Sequence, residues 1–346
     1  MIQHRLHLNI TDLCNLRCKH CYWEAYGVSP DAPLAKLETI LERFKAFAAD
    51  YGETGEHVLT IGGGEPTLRP DLDDILRAAS KRGFLPRLVT NAVSIDAARA
   101  RSLAEAGLRV MQVSLDGACK ETHESVRGQG TWKRTMAGIE ALREAGVFVV
   151  LSYVLLPGVN LDEAPTLLDL VERMNLSGAK FARPILQGQA IKHAVAVEGD
   201  YLATFRKIVR HAHETNYKRA LLFFDPLAHG LRLDVPEWTS ELPGLATDLC
   251  QCDETALVEV DAGSGAIYYC RVREKLGNIW EDDLGTVWRE HKLLRGIRER
   301  KPEGACSSCA AWSNCRGGCP AVVYGLTGET IAPDGDCHKV AAHSGA

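Results

Sequence analysis

Six short β-rich runs alternate with amphipathic helical stretches through the first 184 residues, and this alternation constrains the fold more than any other feature. The runs are Leu6–Ile10, Val58–Ile61, Arg87–Thr90, Val110–Leu115, Val147–Leu156 and Ala179–Pro184. After the first of them, Leu37, Ile40, Leu41, Phe44 and Phe47 keep the three-four spacing of one buried helical face. Similar stripes run through Leu72–Lys81, Ala97–Ala106, Trp132–Ala145 and Leu161–Met174. Gly83, Gly107 and Gly146 follow three of these helices, where a left-handed C-cap is wanted. Strands separated by helices pair in parallel through right-handed crossovers. Six units fall short of a closed eight-stranded barrel, so the expected fold is α/β, a partial (β/α)6 barrel of the TIM type. Such folds carry their reactive groups on loops beyond the C-terminal ends of the strands. Cys14 follows the first strand, Gly63 the second, Asn91 the third and Asp116 the fourth.

The pattern loosens from residue 189 to 247 around one helix near Tyr201–Glu214. Residues 248–346 are rich in cysteine and carry one amphipathic helix over Leu284–Arg300. The expected division is a barrel over 1–188, a bridging region over 189–247 and a cysteine-rich extension over 248–346. A net charge of −5 and a pI near 6.2 offer a polyanion no attraction, so neither nucleic acid nor an anionic membrane is an expected partner. The opening MIQHRLHLNITDLC lacks the long apolar core and small-residue cleavage site of a secretory signal. No apolar run reaches the length of a membrane span. A cytoplasmic location is the expectation.

Twelve cysteines need a reason in a reducing compartment, where thiols bind metals or react more often than they pair. Their distribution is lopsided: three lie within Cys14–Cys21, Cys119 stands alone, and eight fall between Cys250 and Cys337. Cys14-Asn-Leu-Arg-Cys18-Lys-His-Cys21 reads C-x3-C-x2-C. Three thiolates on one short loop can hold three irons of a cubane cluster and leave the fourth iron open for an outside ligand. Zinc completed by His20 or a distant residue is the competing reading, although zinc knuckles usually come as two pairs. Gly62-Gly63-Gly64-Glu65-Pro66 follows the second strand without the Lys-Ser/Thr of a phosphate loop. Glycines let backbone carbonyls approach an ammonium group, and Glu65 adds a charged acceptor.

The triplet after a first strand resembles the signature of the radical S-adenosylmethionine (SAM) superfamily. That resemblance implies a [4Fe-4S] cluster on Cys14, Cys18 and Cys21 whose open iron chelates SAM. Reductive cleavage then gives a 5′-deoxyadenosyl radical that takes a hydrogen from the substrate. Gly63, Gly64 and Glu65 resemble the family's GGEP motif for the SAM ammonium, and His20 stands where the family often has an aromatic residue near the adenine. Val113-Ser114-Leu115-Asp116-Gly117 is similar to the family's SLDG segment, which assigns Ser114 and Asp116 to the SAM ribose or carboxylate. A plain turn is the alternative for Asp116. Arg127 resembles an arginine that pairs with the methionine carboxylate, against the alternative of a solvated surface side chain. Leu155 would offer backbone to the adenine, and Thr90-Asn91-Ala92 loosely matches a TNG segment with alanine in place of glycine.

Cys306-x2-Cys309-x5-Cys315-x3-Cys319, then Cys337 after seventeen residues, resembles the SPASM extension of this superfamily, as do Cys250, Cys252 and Cys270 upstream. The resemblance implies two auxiliary [4Fe-4S] clusters, one on Cys250, Cys252, Cys270 and Cys319 and one on Cys306, Cys309, Cys315 and Cys337. Three clusters then use eleven thiols and leave Cys119, a small hydrophobe on the ordinary reading. With both auxiliary sets complete, electron transfer is the expected role. SPASM enzymes commonly crosslink, epimerise or oxidise peptides, so peptide modification in the maturation of a ribosomal product is the expected function. A small molecule such as a sugar, nucleoside or tetrapyrrole precursor is the alternative substrate. The expected partners are that substrate, an electron donor such as flavodoxin or ferredoxin, and a separate leader-binding protein, since the first strand starts about five residues in. No general base stands out; Asp225 and the Arg183–Gln189 segment are placed to face a pocket, with a structural turn the stronger reading for Asp225. A zinc-stabilised or electron-carrying protein without SAM chemistry is the reading from a different class.

Overall fold

The computed structural model describes residues 4–23, 26–247 and 257–337. Its centre is one sheet that curls into a partial barrel. Eight parallel strands run in chain order: β1 (Arg5–Asn9), β2 (His57–Gly62), β3 (Phe84–Thr90), β4 (Val110–Ser114), β5 (Phe148–Val154), β6 (Gly178–Ala182), β7 (Ala220–Phe223) and β8 (Leu245–Ala246). Helices α1 (Leu34–Ala49), α2 (Leu72–Lys81), α3 (Ala97–Glu105), α4 (Lys120–Arg127), α5 (Thr131–Glu144) and α6 (Thr166–Arg173) cover the outer face.

The partial barrel is the expected architecture, with two more strands than the six read from sequence. Both extra strands lie in the stretch expected to be irregular. With four and two residues, β7 and β8 are too short to impose a period-two signal. Beyond them, β9 (Leu257–Asp261) returns to pair in parallel with β1, from Arg5 opposite Leu257 to Asn9 opposite Asp261. β10 (Ala266–Tyr269) and β11 (Val272–Asn278) complete that edge as an antiparallel hairpin. The edge of the first strand is thereby covered by the cysteine-rich region itself.

Local chemistry explains the other departures. The helix expected from Leu161 starts at Thr166, because Pro165 disfavours a helical residue before it and lacks an N–H. α4 carries no apolar stripe; its buried face is His123, Glu124, Val126 and Arg127. The helix expected over Leu284–Arg300 is two, Leu284–Glu290 and Lys292–Glu299, broken where His291 takes an extended backbone. β3 starts at Phe84 and contains Pro86, which is tolerated because pairing to β4 begins only at Arg87.

On the outer side of the sheet Leu6, Leu8, Ile61, Met111, Leu151 and Phe181 pack against Leu37, Phe44, Leu76, Ile139 and Leu167. Each such fully buried side chain contributes about 1.5–3 kcal/mol. The alternate strand positions face the concave side and include a polar set among valines and alanine. His7, Thr60 and Arg87 are register neighbours on β1–β3, Gln112 follows on β4, and Ser152 neighbours Lys180 across β5 and β6. A polar lumen lined by main-chain-anchored side chains is a place for a ligand rather than a core.

Candidate active site at the open end of the barrel

The loop after β1 is fixed by backbone contacts to the loop after β2. Gly64 N donates to Thr11 O at 2.8 Å and Glu65 N to Leu13 O at 2.7 Å. A Cβ on Gly64 would lie 2.2 Å from Leu13 O, and one on Gly63, whose φ is +124°, would lie 2.3 Å from Thr11 O. The glycines are thus required by the cysteine loop itself, a constraint additional to any ligand. Glu65 is 1% exposed and accepts hydrogen bonds from Thr67 Oγ1 (2.6 Å), Thr90 Oγ1 (2.7 Å) and Asn91 N (2.8 Å). Burial raises its pKa. Asn91 passes the linkage on, donating from Nδ2 to Asn15 Oδ1 at 2.8 Å inside the cysteine loop. Ala92 takes φ +57°, the left-handed conformation for which the family's glycine is suited.

Cys18 is buried, while Cys14 and Cys21 are half-buried. Burial pushes the Cys18 thiol up to about 12 and raises Cys14 as well, so these are thiols until a metal deprotonates them. Arg127 Nη1 lies 3.7 Å from Cys18 Sγ, and its Nε donates to Asp116 Oδ2 at 2.6 Å. Asp116 is fully buried: Oδ1 accepts from Val154 N at 2.9 Å, and His20 Nε2 lies 3.3 Å from Oδ2. Burial alone would raise Asp116, but Arg127 and His20 outweigh it and hold the carboxylate below its usual range. Burial lowers His20 to about 4, so its ring is neutral. The fold therefore gathers His20, Asp116 and Arg127 beside Cys18. Ser114 ends β4 half-buried, and Leu155 is buried beyond β5 with its N–H donated to Ala182 O.

Two contributors escaped the sequence reading, and a third lay in a segment it named only as a whole. Asn15 lies between the first two cysteines, and its position in the C-x3-C loop was the available signal. Asn160, 1% exposed, donates to Asp116 O and Val154 O and so fixes the loop after β5. Gln187 lies in the segment expected to face a pocket. Gln189 N donates to Cys21 O at 2.8 Å, and a Cβ on Gly188 would lie 2.4 Å from Tyr22 O, so this segment rests on the third cysteine. Both amide atoms of Gln187, and His20 Nδ1, are buried without a hydrogen-bond partner among the described residues. Orphaned polar atoms beside three thiols are what a bound ligand would satisfy. Asp225, by contrast, is committed: it is 1% exposed, accepts from Leu227 N at 2.9 Å, and pairs with Arg183.

In the C-terminal region, Cys270 occupies the β10–β11 turn with φ +52°. Cys270 bears electrostatically on Cys319, while Cys309 and Cys337 bear on Cys306. Burial raises Cys315 to about 12, and the N–H groups of Gly317 and Gly318 point at its sulfur. Arg316, Gly317 and Gly318 take positive φ in succession, a tight turn that brings the Gly317 and Gly318 N–H groups to the Cys315 sulfur. Cys250 and Cys252 lie outside the described residues. Among the described residues no group of three or more Cys, His, Asp or Glu side chains is closed up as if round a metal ion. By chemistry the donors fit an Fe–S cluster, since free thiols are what such clusters take as ligands.

Just behind this site, His123 is fully buried with neither ring nitrogen hydrogen-bonded among the described residues, edge-on to Trp132 at 5.7 Å. Burial, then Arg127, lowers its pKa from 6.5 to about 4. The unfolded chain therefore takes up a proton between those values that the folded protein refuses, and stability is lost as pH falls from 6.5 towards 4. Over that window the loss from this one ring approaches about 3 kcal/mol. His123→Phe is expected to flatten this part of the stability profile, measured as urea midpoints from pH 4 to 7.

Residues 8–171 match the radical SAM superfamily. The Fe-coproporphyrin III synthase of Methanosarcina barkeri is 27% identical over 95% of this chain and 86% of its own length. Mycofactocin maturase MftC of Mycolicibacterium smegmatis is 27% identical over 95% of this chain and 81% of its own. Streptococcus suis SuiB, solved with its precursor peptide SuiA, superposes with a TM-score of 0.74 at 19% identity, covering 97% of this chain and 76% of that one. The fold is that of SPASM-type radical SAM enzymes, and the cysteine loop, its glycine clamp and these likenesses place the chain among the radical SAM enzymes, which use SAM and a [4Fe-4S] cluster.

Proposed function

We propose that the enzyme modifies a peptide by radical chemistry. The observation that carries this is the Cys14–Cys18–Cys21 loop clamped by Gly63 and Gly64 over the Arg127–Asp116–His20 group, in a chain similar end to end to a maturase. Bound there, a cluster and SAM supply a 5′-deoxyadenosyl radical able to take a hydrogen from the substrate. The chain's own residues orient and shield it: Gly63, Gly64 and Glu65 face the SAM ammonium, Ser114 and Arg127 its carboxylate, and His20 and Leu155 its adenine. Asp116 holds Arg127 in place. Glu65 already accepts several protein hydrogen bonds, so backbone carbonyls carry more of the ammonium contact than its charge alone would imply.

Two auxiliary clusters complete the proposal, on Cys250, Cys252, Cys270 and Cys319 and on Cys306, Cys309, Cys315 and Cys337, where they accept the electron left on an oxidised substrate. The neighbourhood of Cys270 with Cys319, and of Cys306 with Cys309 and Cys337, supports the pairing of sets. The division into a barrel over 1–188, a bridge over 189–247 and an auxiliary-cluster region over 248–346 belongs to the same reading. So do a flavodoxin or ferredoxin as electron donor, a separate leader-binding protein and a cytoplasmic location; among the described residues no helix is long and apolar enough to cross a membrane. The likeness to a coproporphyrin enzyme favours a tetrapyrrole as the second reading.

Anaerobically reconstituted, reduced protein is expected to release 5′-deoxyadenosine from SAM, measured by mass spectrometry. Deuterium transferred into it from a labelled precursor peptide supports the first reading, and transfer from labelled coproporphyrin the second. No 5′-deoxyadenosine under any condition overturns both.

A further inference from the structure

The exposed side of the cysteine loop carries side chains that the radical chemistry does not use. Three of the ten exposed large hydrophobic side chains among the described residues gather there: Leu13 at 53%, Val28 at 75% and Leu68 at 38%. Leu13 immediately precedes Cys14. Val28 follows Gly27, whose N–H donates to Asp12 O at 3.3 Å and where a Cβ would lie 3.6 Å from Leu13 Cδ2. Leu68 ends the short turn that Glu65 opens, and Glu65 N donates to Leu13 O at 2.7 Å. Both turns therefore touch the cysteine loop at Asp12 and Leu13, and each adds an exposed apolar side chain beside it.

Two cations share this surface. Arg17 and Lys19 flank the buried Cys18; both are exposed, and neither is ion-paired among the described residues. Arg17 is held in place without being neutralised. Its Nη1 donates to Cys14 O and to Leu16 O, each at 2.8 Å, and the guanidinium carbon stands 4.1 Å from the Tyr26 ring centroid. Lys19 N donates to Val126 O at 3.1 Å, which fixes its backbone against α4. Arg127, at the end of the same helix, is buried and paired with Asp116, so it adds nothing to the surface. On a chain whose net charge is −5, two unanswered cations side by side are a local exception. The summed field repels an acidic protein from most of the surface and admits it here.

We propose that this face is the docking surface for a flavodoxin, an acidic one-electron carrier whose flavin delivers the reducing electron. This rests on the radical reading above and specifies which donor docks and where. Exposed apolar side chains flanked by charge are the anatomy of a transient interface. The apolar dimethylbenzene edge of a flavin suits Leu13 and Val28, and the carboxylates around it suit Arg17 and Lys19. Electron transfer weakens steeply with distance, so the useful face is the one closest to the metal. A partner seated on Arg17 stands one hydrogen bond from the Cys14 carbonyl and one residue from Cys18. One electron leaves the reduced flavin and enters the cluster held by the three thiols. The carrier is oxidised by one electron, the cluster is reduced by one, and no group is transferred.

The test uses the anaerobically reconstituted enzyme and a purified bacterial flavodoxin. Affinity is measured by titration calorimetry, and cluster reduction by stopped-flow absorbance with either photoreduced flavodoxin or dithionite as donor. Lys19→Glu and Val28→Glu are each expected to weaken flavodoxin binding by about tenfold and to slow flavodoxin-driven reduction to match, while dithionite-driven reduction keeps the parent rate. Arg17→Gln is expected to weaken binding likewise and Arg17→Lys to preserve it, which separates the charge from the hydrogen bonds Arg17 makes to the loop. Unchanged affinity in all these variants overturns the surface. So does an equal slowing with both donors, which would mark a brace for the loop. Loss of binding to a random pentapeptide pool in Val28→Glu would seat the substrate there and also overturns it. Sensitivity seen with a purified ferredoxin and not with flavodoxin overturns the choice of carrier. Enzyme that binds flavodoxin at this face yet forms no 5′-deoxyadenosine with either donor counts against the radical reading alone, because affinity is scored separately.

Discussion

Arg183→Met is expected to destabilise the folded protein by about 3–5 kcal/mol, the cost of leaving buried charge uncompensated. Arg183 is fully buried and faces three carboxylates: Asp225 Oδ2 at 2.5 Å, Asp334 Oδ2 at 2.5 Å and Asp336 Oδ2 at 2.8 Å. It follows β6, Asp225 follows β7, and the other two precede Cys337, so one guanidinium joins the barrel to the cysteine-rich region. Gly318 seals the contact, since a Cβ there would lie 2.3 Å from the side chain of Asp334. Burial already raises Asp225 and Asp336, and removing the cation raises them further. A carboxyl whose folded pKa is raised keeps its proton in the folded state and loses stability as pH rises. The gap between variant and parent should therefore narrow on acidification towards pH 4, read from urea midpoints. A loss under about 1 kcal/mol at neutral pH would show that the trio is not held as three buried anions.

Gly64→Ala is expected to lower 5′-deoxyadenosine formation by about a hundredfold, because displacing a reacting group by about an ångström costs that much. The new Cβ meets the Leu13 carbonyl, 2.2 Å away, and backbone cannot rotate aside as a side chain does. The residue after Leu13 is Cys14, so the strain is relieved by moving the cysteine loop. Gly146→Ala is the matched control: its φ is +78° and nothing lies within 4 Å of the added Cβ. It should cost about 1 kcal/mol of stability through backbone strain and leave the rate alone. If both variants keep the parent rate, the glycine clamp does not position the cysteine loop.

Much of the framework was legible because it follows from periodicity and punctuation. The strands from Leu6 to Pro184, and Gly83, Gly107 and Gly146 at helix ends, report local physics that a single sequence carries; all three glycines have positive φ. What stayed hidden depends on partners far along the chain. β7 and β8 exist because β6 offers an edge, and β9 because β1 does. α4 is amphipathic only in a setting that buries His123 and Arg127 among polar partners. At the site, the cysteine spacing and the glycine run declared themselves. Asn160, Asp334 and Asp336 did not, and Asp225 and the Arg183–Gln189 segment were named without their partners, since an isolated Asn, Gln or Asp carries no spacing that distinguishes a buried organiser from a surface turn.

The central claim is that SAM binds directly to an iron which the protein leaves open on the Cys14–Cys18–Cys21 loop. Electron–nuclear double resonance on the reduced, reconstituted protein with SAM labelled at its carboxylate oxygen and amino nitrogen tests it without need of a substrate. Hyperfine coupling of both labels to a cluster, absent in Cys14→Ala, is the predicted result. A cluster signal indifferent to the labels, or zinc in place of iron on that loop, would contradict it.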